Sequence, residues 1–164
     1  MKRLVGVIFV TSFFGFSAIC RAQDCSNWSN EDLRGTYATS GDGWIDLSKL
    51  NPALPAGYTP KSFVGAIGID GWGNGKGWLS LCAGGIQMTM EFVNMTYDVK
   101  SNCSVAMSYS LKVKELGITI GPMPQVAVIA GNGLGLELIG MEPGTGPGSQ
   151  ITLIHSRRIS MQFK

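Results

Sequence analysis

The sequence predicts an all-β protein with a single antiparallel β-barrel of about eight or nine strands. Apolar and polar residues alternate with period two along most of the chain. Glycine accounts for 23 of 164 residues and stands mainly where the alternating segments end. Such a meander buries its apolar side most simply by closing on itself, which also removes its free edges. A two-sheet β-sandwich is the alternative.

Residues 1–22 have the three parts of a secretory signal peptide. A basic start, Met1-Lys2-Arg3, precedes an apolar run at 4–19, and Cys20-Arg21-Ala22 supplies small residues before a cut after Ala22. The run is short for a membrane span, although an uncleaved anchor is the alternative. We therefore expect a secreted or periplasmic chain with one domain, residues 23–164, and no membrane span after cleavage.

Removal of this leader changes the charge of the chain. The full sequence carries a formal net charge of +2, with 13 basic and 11 acidic residues. Lys2, Arg3 and Arg21 leave with the leader, so ten basic residues remain against eleven acidic ones, a net charge of −1. A near-neutral chain with scattered charges lacks the basic surface that nucleic acids and anionic membranes attract, so we expect no nucleic-acid partner.

The first predicted element is a short helical turn at residues 29–33, where Ser29 is suited to be the N-cap and acidic residues follow. A strand is predicted at 35–40. Residues 41–60 are predicted to be a long connection, because they contain three prolines and several glycines.

The later elements alternate clearly and are separated by glycine-rich turns. The clearest stripe runs from Val105 to Val113, and four methionines in this part of the chain are expected in the core. Asn132-Gly133 is a strong hairpin signal, whereas residues 121–124 and 143–148 are predicted to be loops. The predicted strands are 63–70, 78–82, 86–93, 95–99, 105–113, 125–130, 134–138 and 150–161.

Several short stretches resemble a loose group of small secreted bacterial β-barrel proteins. They are, in chain order, Cys25-Ser26-Asn27, residues 33–37, Val64-Gly65, residues 70–74, residues 96–99 and Asn102-Cys103-Ser104. In fold this group is similar to the calycin-like barrels of allene oxide cyclases and dirigent proteins. The resemblance implies a barrel, and it carries no catalytic residue to a position in this chain.

Three cysteines remain after the leader, namely Cys25, Cys82 and Cys103. In an oxidising compartment they imply one disulfide and one leftover thiol. We favour Cys25–Cys103, because this pair would tie the N-terminus before the first strand to a turn of the barrel. The alternative is Cys82 with Cys103. If Cys25 pairs with Cys103, Cys82 is expected to be a small buried hydrophobic residue.

The candidate acid–base residues are few. His155 is the only histidine, and its place in the last strand leaves open which face it occupies. Glu91, Asp98 and Glu137 lie on the polar sides of their strands and are expected to face solvent. No G-x-S-x-G sequence is present. The sequence therefore identifies no catalytic residue.

A calcium loop is the one metal motif that residues 70–75 suggest. An EF-hand loop needs Asp or Asn at its third position and Glu at its twelfth, where this chain has Trp72 and Leu81. We therefore interpret the segment as a hairpin turn, and we expect neither a metal nor a cofactor.

Aromatic residues are the best candidates for contact with a ligand, since they combine a large apolar surface with a polar group. The candidates are Trp44, Trp72, Trp78, Tyr97 and Tyr109. The leading hypothesis is a barrel that binds a small apolar or amphipathic molecule without transforming it. The alternatives are a cyclase or isomerase acting on a lipid-like or polyketide-like substrate, and a structural or interaction protein of the cell envelope. The content of the barrel interior discriminates between these hypotheses.

Overall fold

The computed structural model describes residues 24–131, 134–141 and 150–162. Eight strands are described, and each pairs antiparallel with the next. They are β1 (Gly35–Asp46), β2 (Tyr58–Ile69), β3 (Asn74–Ala83), β4 (Ile86–Val99), β5 (Ser104–Val113), β6 (Ile118–Ala130), β7 (Gly135–Met141) and β8 (Gln150–Ser160). The predicted leader, the Asn132-Gly133 turn and the loop at 143–148 lie outside the described residues.

The eight strands close into one barrel. β8 pairs with β1 from Thr36–Ser160 to Ile45–Gln150, which joins the two ends of the sheet. The predicted barrel is therefore confirmed, and the sandwich alternative is wrong. In the described ranges no helix combines the length and the apolar composition that a membrane crossing requires.

Two predicted connections are in fact parts of strands. β1 continues to Asp46, so the connection predicted at 41–60 is reduced to residues 47–57. Gly41 lies inside β1, where a Cβ atom would come within 2.5 Å of the Phe63 ring. The glycine therefore gives a bulky neighbour room in the interior rather than ending the strand. Likewise, residues 121–124 belong to β6, at a register shift between β5 and β6.

The core is the inward face of the barrel. Met88, Met90, Met95 and Met107 are buried there, as predicted. The inward positions change from even to odd numbers along β4, because a bulge at Asn94, whose φ is 52°, adds one residue to that strand. One strand therefore replaces the two predicted at 86–93 and 95–99.

The N-terminal segment covers one end of the barrel, which we call the capped end. It carries the predicted helical turn, Asn30–Leu33, capped by Ser29, and Leu33 is fully buried. Cys25 and Cys103 form the predicted disulfide, which ties this segment to the turn between β4 and β5. The opposite end, which we call the loop end, carries the connection 47–57 with its short helical turn Leu47–Lys49.

Cys82 is exposed, so the prediction that it is buried is wrong. The reason is the alternation of β3, in which Leu81 and Ala83 take the inward positions on either side of it.

We expect replacement of both Cys25 and Cys103 by serine to lower the free energy of unfolding by about 4 kcal/mol in a chain that begins at Gln23. The bridge closes a loop of 78 residues, and its loss restores chain entropy to the unfolded state. Guanidinium unfolding of both proteins measures this difference.

The matched control is Cys82→Ser, which removes an exposed thiol outside the bridge. It should change the free energy of unfolding by less than about 0.5 kcal/mol. A double variant as stable as the control would contradict a structural disulfide at this position.

Candidate ligand-binding site

The three tryptophans singled out from the sequence lie on the outside of the barrel. Trp44 on β1 and Trp78 on β3 are 52% and 49% exposed, and Trp72 in the turn after β2 is 80% exposed. The neighbouring Ile45 and Leu79 occupy the inward positions instead. None of the three tryptophans lines the interior, so they do not form one site with the tyrosines.

The two tyrosines point inward but have different surroundings. The Tyr97 hydroxyl accepts a hydrogen bond from the Gly71 backbone N–H at 2.9 Å and donates to the Asn30 carbonyl at 3.2 Å. It thus fastens the capped end. Tyr109 lines the interior cavity and meets the Phe92 ring edge-on, with 5.1 Å between ring centroids. Of the five aromatic candidates, only Tyr109 is among the described residues that line this cavity.

Arg158 and Tyr37 close the capped end from within. Arg158 Nε and Nη2 donate to the Tyr37 hydroxyl at 3.0 and 2.8 Å, and that hydroxyl donates to the Leu33 carbonyl at 3.0 Å. Arg158 also donates to the Asp32 carbonyl. Burial raises the pKa of Tyr37, and the contact with Arg158 offsets part of the rise. This network holds the helical turn on the barrel.

The interior contains a cavity with about 60 Å³ of space for the centres of water-sized molecules. The chamber therefore has room for several water-sized molecules. Its wall is mostly aliphatic, aromatic and methionine side chains, including Met90, Met95 and Met107. The cavity is therefore a small apolar chamber in the middle of the barrel.

The wall also contains a set of buried polar side chains, and one of them is charged. Lys61 on β2 and Thr152 on β8 are each 5% exposed, and Gln125 on β6 is buried as well. No described residue of the wall is an aspartate or a glutamate. Among the described residues of the wall, the charged side chain is therefore a lysine.

Lys61 and Thr152 belong to one row across three strands. Gly43 on β1 pairs with Lys61 on one side and with Thr152 on the other. Because strands are spaced by about 4.8 Å, the backbones of Lys61 and Thr152 are about 10 Å apart. Gly43, which lies between them, has no side chain. We call these three residues the Lys61–Thr152 row.

The Thr152 hydroxyl is unusual for a buried polar group. Its Oγ1 has no hydrogen-bond partner among the described residues. The nearby polar pair differs, since Ser156 Oγ donates to Thr39 Oγ1 at 2.9 Å. A buried polar atom without a partner costs about 1–3 kcal/mol, and such atoms are uncommon in folded proteins.

The acid–base candidates lie outside the chamber. His155 Nδ1 contacts Glu137 Oε2 on the outer wall, where both side chains are about half exposed. Glu91 and Asp98 pair with Lys114 and Lys100 at the surface, so these two carboxylates and Glu137 face solvent, as predicted.

Residues 70–74 form a turn, as predicted. Asp70 Oδ1 accepts hydrogen bonds from the Trp72 and Asn74 backbone N–H groups at 2.7 and 3.0 Å. Within 24–131, 134–141 and 150–162, no three His, Cys, Asp or Glu side chains are grouped so that they could hold a metal ion.

The polar residues of the chamber were missed in the sequence, although a signal for them exists. Lys61 is an odd-numbered position like the inward-facing Phe63, Ile67 and Ile69, but the predicted strand began at Phe63, five residues after β2 begins at Tyr58. Extending the alternation backwards would have placed the lysine on the inward face.

Comparisons with protein-family models, curated proteins and solved structures find no match for this chain. The resemblance to allene oxide cyclase and dirigent barrels stays a prediction.

We expect the free energy of unfolding to fall as the pH rises above about 10, the ordinary pKa of tyrosine. Burial raises the pKa of both Tyr37 and Tyr97. As the pH rises, the tyrosine hydroxyls therefore lose their protons in the unfolded chain before they do so in the folded protein. The stabilisation present below pH about 10 decreases as the pH approaches the pKa values of the two tyrosines in the folded state. Urea unfolding over an alkaline pH series measures the slope.

Tyr37→Phe should make this alkaline slope shallower, because it removes one of the two contributing groups. Tyr58→Phe is the matched control, since Tyr58 is exposed. Equal slopes for wild type and Tyr37→Phe would contradict the assignment.

We expect Thr152→Val to raise the free energy of unfolding by about 1 kcal/mol or more, because it removes a buried hydroxyl that has no described partner. The matched control is Thr39→Val, which removes the acceptor of Ser156 and should lower the stability. Denaturant unfolding compares the variants with wild type. A loss of stability in Thr152→Val would show that its hydroxyl is satisfied.

Proposed function

We propose that this protein is exported and binds a small apolar or amphipathic molecule inside the barrel, without transforming it. The observation that carries the proposal is the apolar interior chamber with a few polar groups in its wall, which is the usual composition of a small-molecule site. An eight-stranded barrel is wide enough to hold one small ligand in this way.

The composition of the chamber supports binding as the leading role. Its wall combines methionine with branched aliphatic and aromatic side chains. Methionine is unbranched and flexible, so Met90, Met95 and Met107 can adapt their shape to a guest. The small volume restricts that guest to a short chain or a single small ring.

The disulfide supports export. Bridges such as Cys25–Cys103 form and persist mainly in oxidising compartments, which include the periplasm and the extracellular space. This agrees with the expectation of a signal peptide at residues 1–22.

We expect 1-hexanol, a neutral amphipathic probe, to bind saturably to a chain that begins at Gln23. Ala127→Leu should weaken this binding by about tenfold or more, because Ala127 lines the chamber and a larger side chain fills it. Titration followed by NMR of the methionine methyl groups measures the affinity and reports from the wall itself.

The matched control is Ala106→Leu, which adds the same atoms at an exposed position on β5. It should leave the hexanol affinity within about twofold of wild type. Failure of the wild-type chain to bind hexanol, or equal weakening in both variants, would contradict binding in the chamber.

A further inference from the structure

We propose that the ligand of the chamber is a small uncharged molecule that carries an oxygen atom, such as a short-chain alcohol or ketone, and that the Thr152 hydroxyl donates a hydrogen bond to this oxygen. This inference rests on the proposed function and names the chemical class of its ligand and a residue that selects it. The observation that carries it is a buried hydroxyl in the chamber wall that has no partner among the described residues.

Thr152, in the Lys61–Thr152 row near the loop end, is an inward residue of β8. Its side chain is 5% exposed and lines the chamber, and its Oγ1 has no hydrogen-bond partner within the described part of the chain. Because the side chain borders the chamber, a rotation about its Cα–Cβ bond can turn the hydroxyl toward a guest. An oxygen atom of the guest can then accept the hydrogen bond that the protein leaves unmade.

The strand register explains why this hydroxyl has no partner. The residues directly opposite Thr152 on its two neighbouring strands are Gly43 on β1 and Gly140 on β7, and a glycine has no side chain to offer. Further along β8, Ser156 Oγ donates to Thr39 Oγ1 at 2.9 Å, and both of these residues line the same chamber. The fold therefore satisfies one hydroxyl pair of the wall internally, whereas the Thr152 hydroxyl is left for a guest.

The charges of the wall favour an uncharged guest. No described residue of the wall is an aspartate or a glutamate, so a cation would be buried there without a counter-charge. The lysine of the wall, Lys61, already has an interaction of its own, so it does not call for an anion from outside. Gln125, which is 7% exposed, adds an amide that is polar but uncharged. A hydroxyl or carbonyl group suits this wall better than an ion, because it loses less free energy when it leaves water.

The rest of the guest is expected to be apolar. Ile154 is the next inward residue of β8 toward the middle of the barrel, and it lines the chamber together with Phe63 and the methionines. A guest whose oxygen lies at Thr152 therefore places its alkyl chain against apolar side chains, and burial of that chain contributes favourably to binding.

The test compares 1-hexanol and 2-hexanone with n-hexane, which has no oxygen, in wild type and in Thr152→Val. This substitution removes the hydroxyl and keeps a branched side chain of similar size. We expect it to weaken the binding of hexanol and of hexanone by about tenfold and to leave the affinity for hexane within about twofold of wild type. NMR titration of the methionine methyl groups measures the affinities in a chain that begins at Gln23.

Two further variants serve as controls. Thr152→Ser retains the hydroxyl, and Thr119→Val removes a hydroxyl from an exposed position on β6. Both should leave the ratio of the hexanol affinity to the hexane affinity within about twofold of wild type. If Thr152→Val does not fold, nuclear Overhauser effects in the wild-type chain keep the test decisive, because they should connect the Thr152 methyl group to the protons on the carbon beside the hexanol oxygen.

Hexanoate and hexylamine extend the test to charge, because they carry a negative and a positive group on the same alkyl chain. Each should bind the wild-type chain at least about tenfold more weakly than hexanol at neutral pH, since the charged group must leave water.

The outcomes separate the two proposals. If Thr152→Val weakens hexanol and hexanone no more than hexane, the role of Thr152 is overturned and the proposed function stays intact. Binding of hexanoate or hexylamine as tight as that of hexanol would overturn the uncharged class of ligand. Binding of none of the probes would overturn the proposed function together with this inference.

Discussion

The pairing of β8 with β1 is the constraint on which the rest of the molecule depends. It closes the sheet and directs the inward side chains of all eight strands into one shared interior. The interior of an eight-stranded barrel is only just wide enough for those side chains or for one small ligand, so the size of each inward side chain affects the space that remains. Gly41 shows how tight the fit is, because a Cβ there would meet the Phe63 ring at 2.5 Å and the Leu153 carbonyl at 2.4 Å. The size of the chamber thus depends on the closure of the barrel and on the small size of the residues at the inward positions of β1, such as Gly41.

The two ends of the barrel use polar side chains for different purposes. At the capped end, Arg158, Tyr37 and Tyr97 all bond to one another or to the backbone of the N-terminal segment, and the disulfide holds that segment in place. These groups serve the fold. At the loop end, Lys61 and Thr152 pair with Gly43 from its two sides, and the hydroxyl of Thr152 has no described partner. Buried hydroxyls are thus satisfied by the protein at the capped end, whereas the Thr152 hydroxyl lacks a described partner near the loop end.

The fold could be predicted from the sequence because a barrel wall has the simplest of signals, an alternation of period two with glycine at the turns. The same signal misled where glycine and proline occur within strands. Gly41 and Gly43 looked like the end of a strand, yet they continue β1 to Asp46. Lys61 was missed through the same error, because it pairs with Gly43 and lay between the predicted connection, 41–60, and the predicted strand, 63–70. The tryptophans were chosen by residue type alone, and Trp44 and Trp78 proved to occupy outward positions. Residue type suggests what a side chain can bind, but its position in the alternation of the strand decides whether it faces the chamber.

Thr152 shows where the interior departs from what stability alone would select. A barrel selected for stability alone would place an apolar residue at position 152, since a buried hydroxyl without a partner among the described residues costs free energy. The chain does place Phe63 and Ile154 in the adjacent row, so apolar side chains are compatible with this geometry. Thr39 and Ser156 show, in turn, that polar residues in this interior can satisfy each other across β1 and β8. The hydroxyl of Thr152 has neither solution among the described residues, and a polar group of a guest in the chamber would offset its cost.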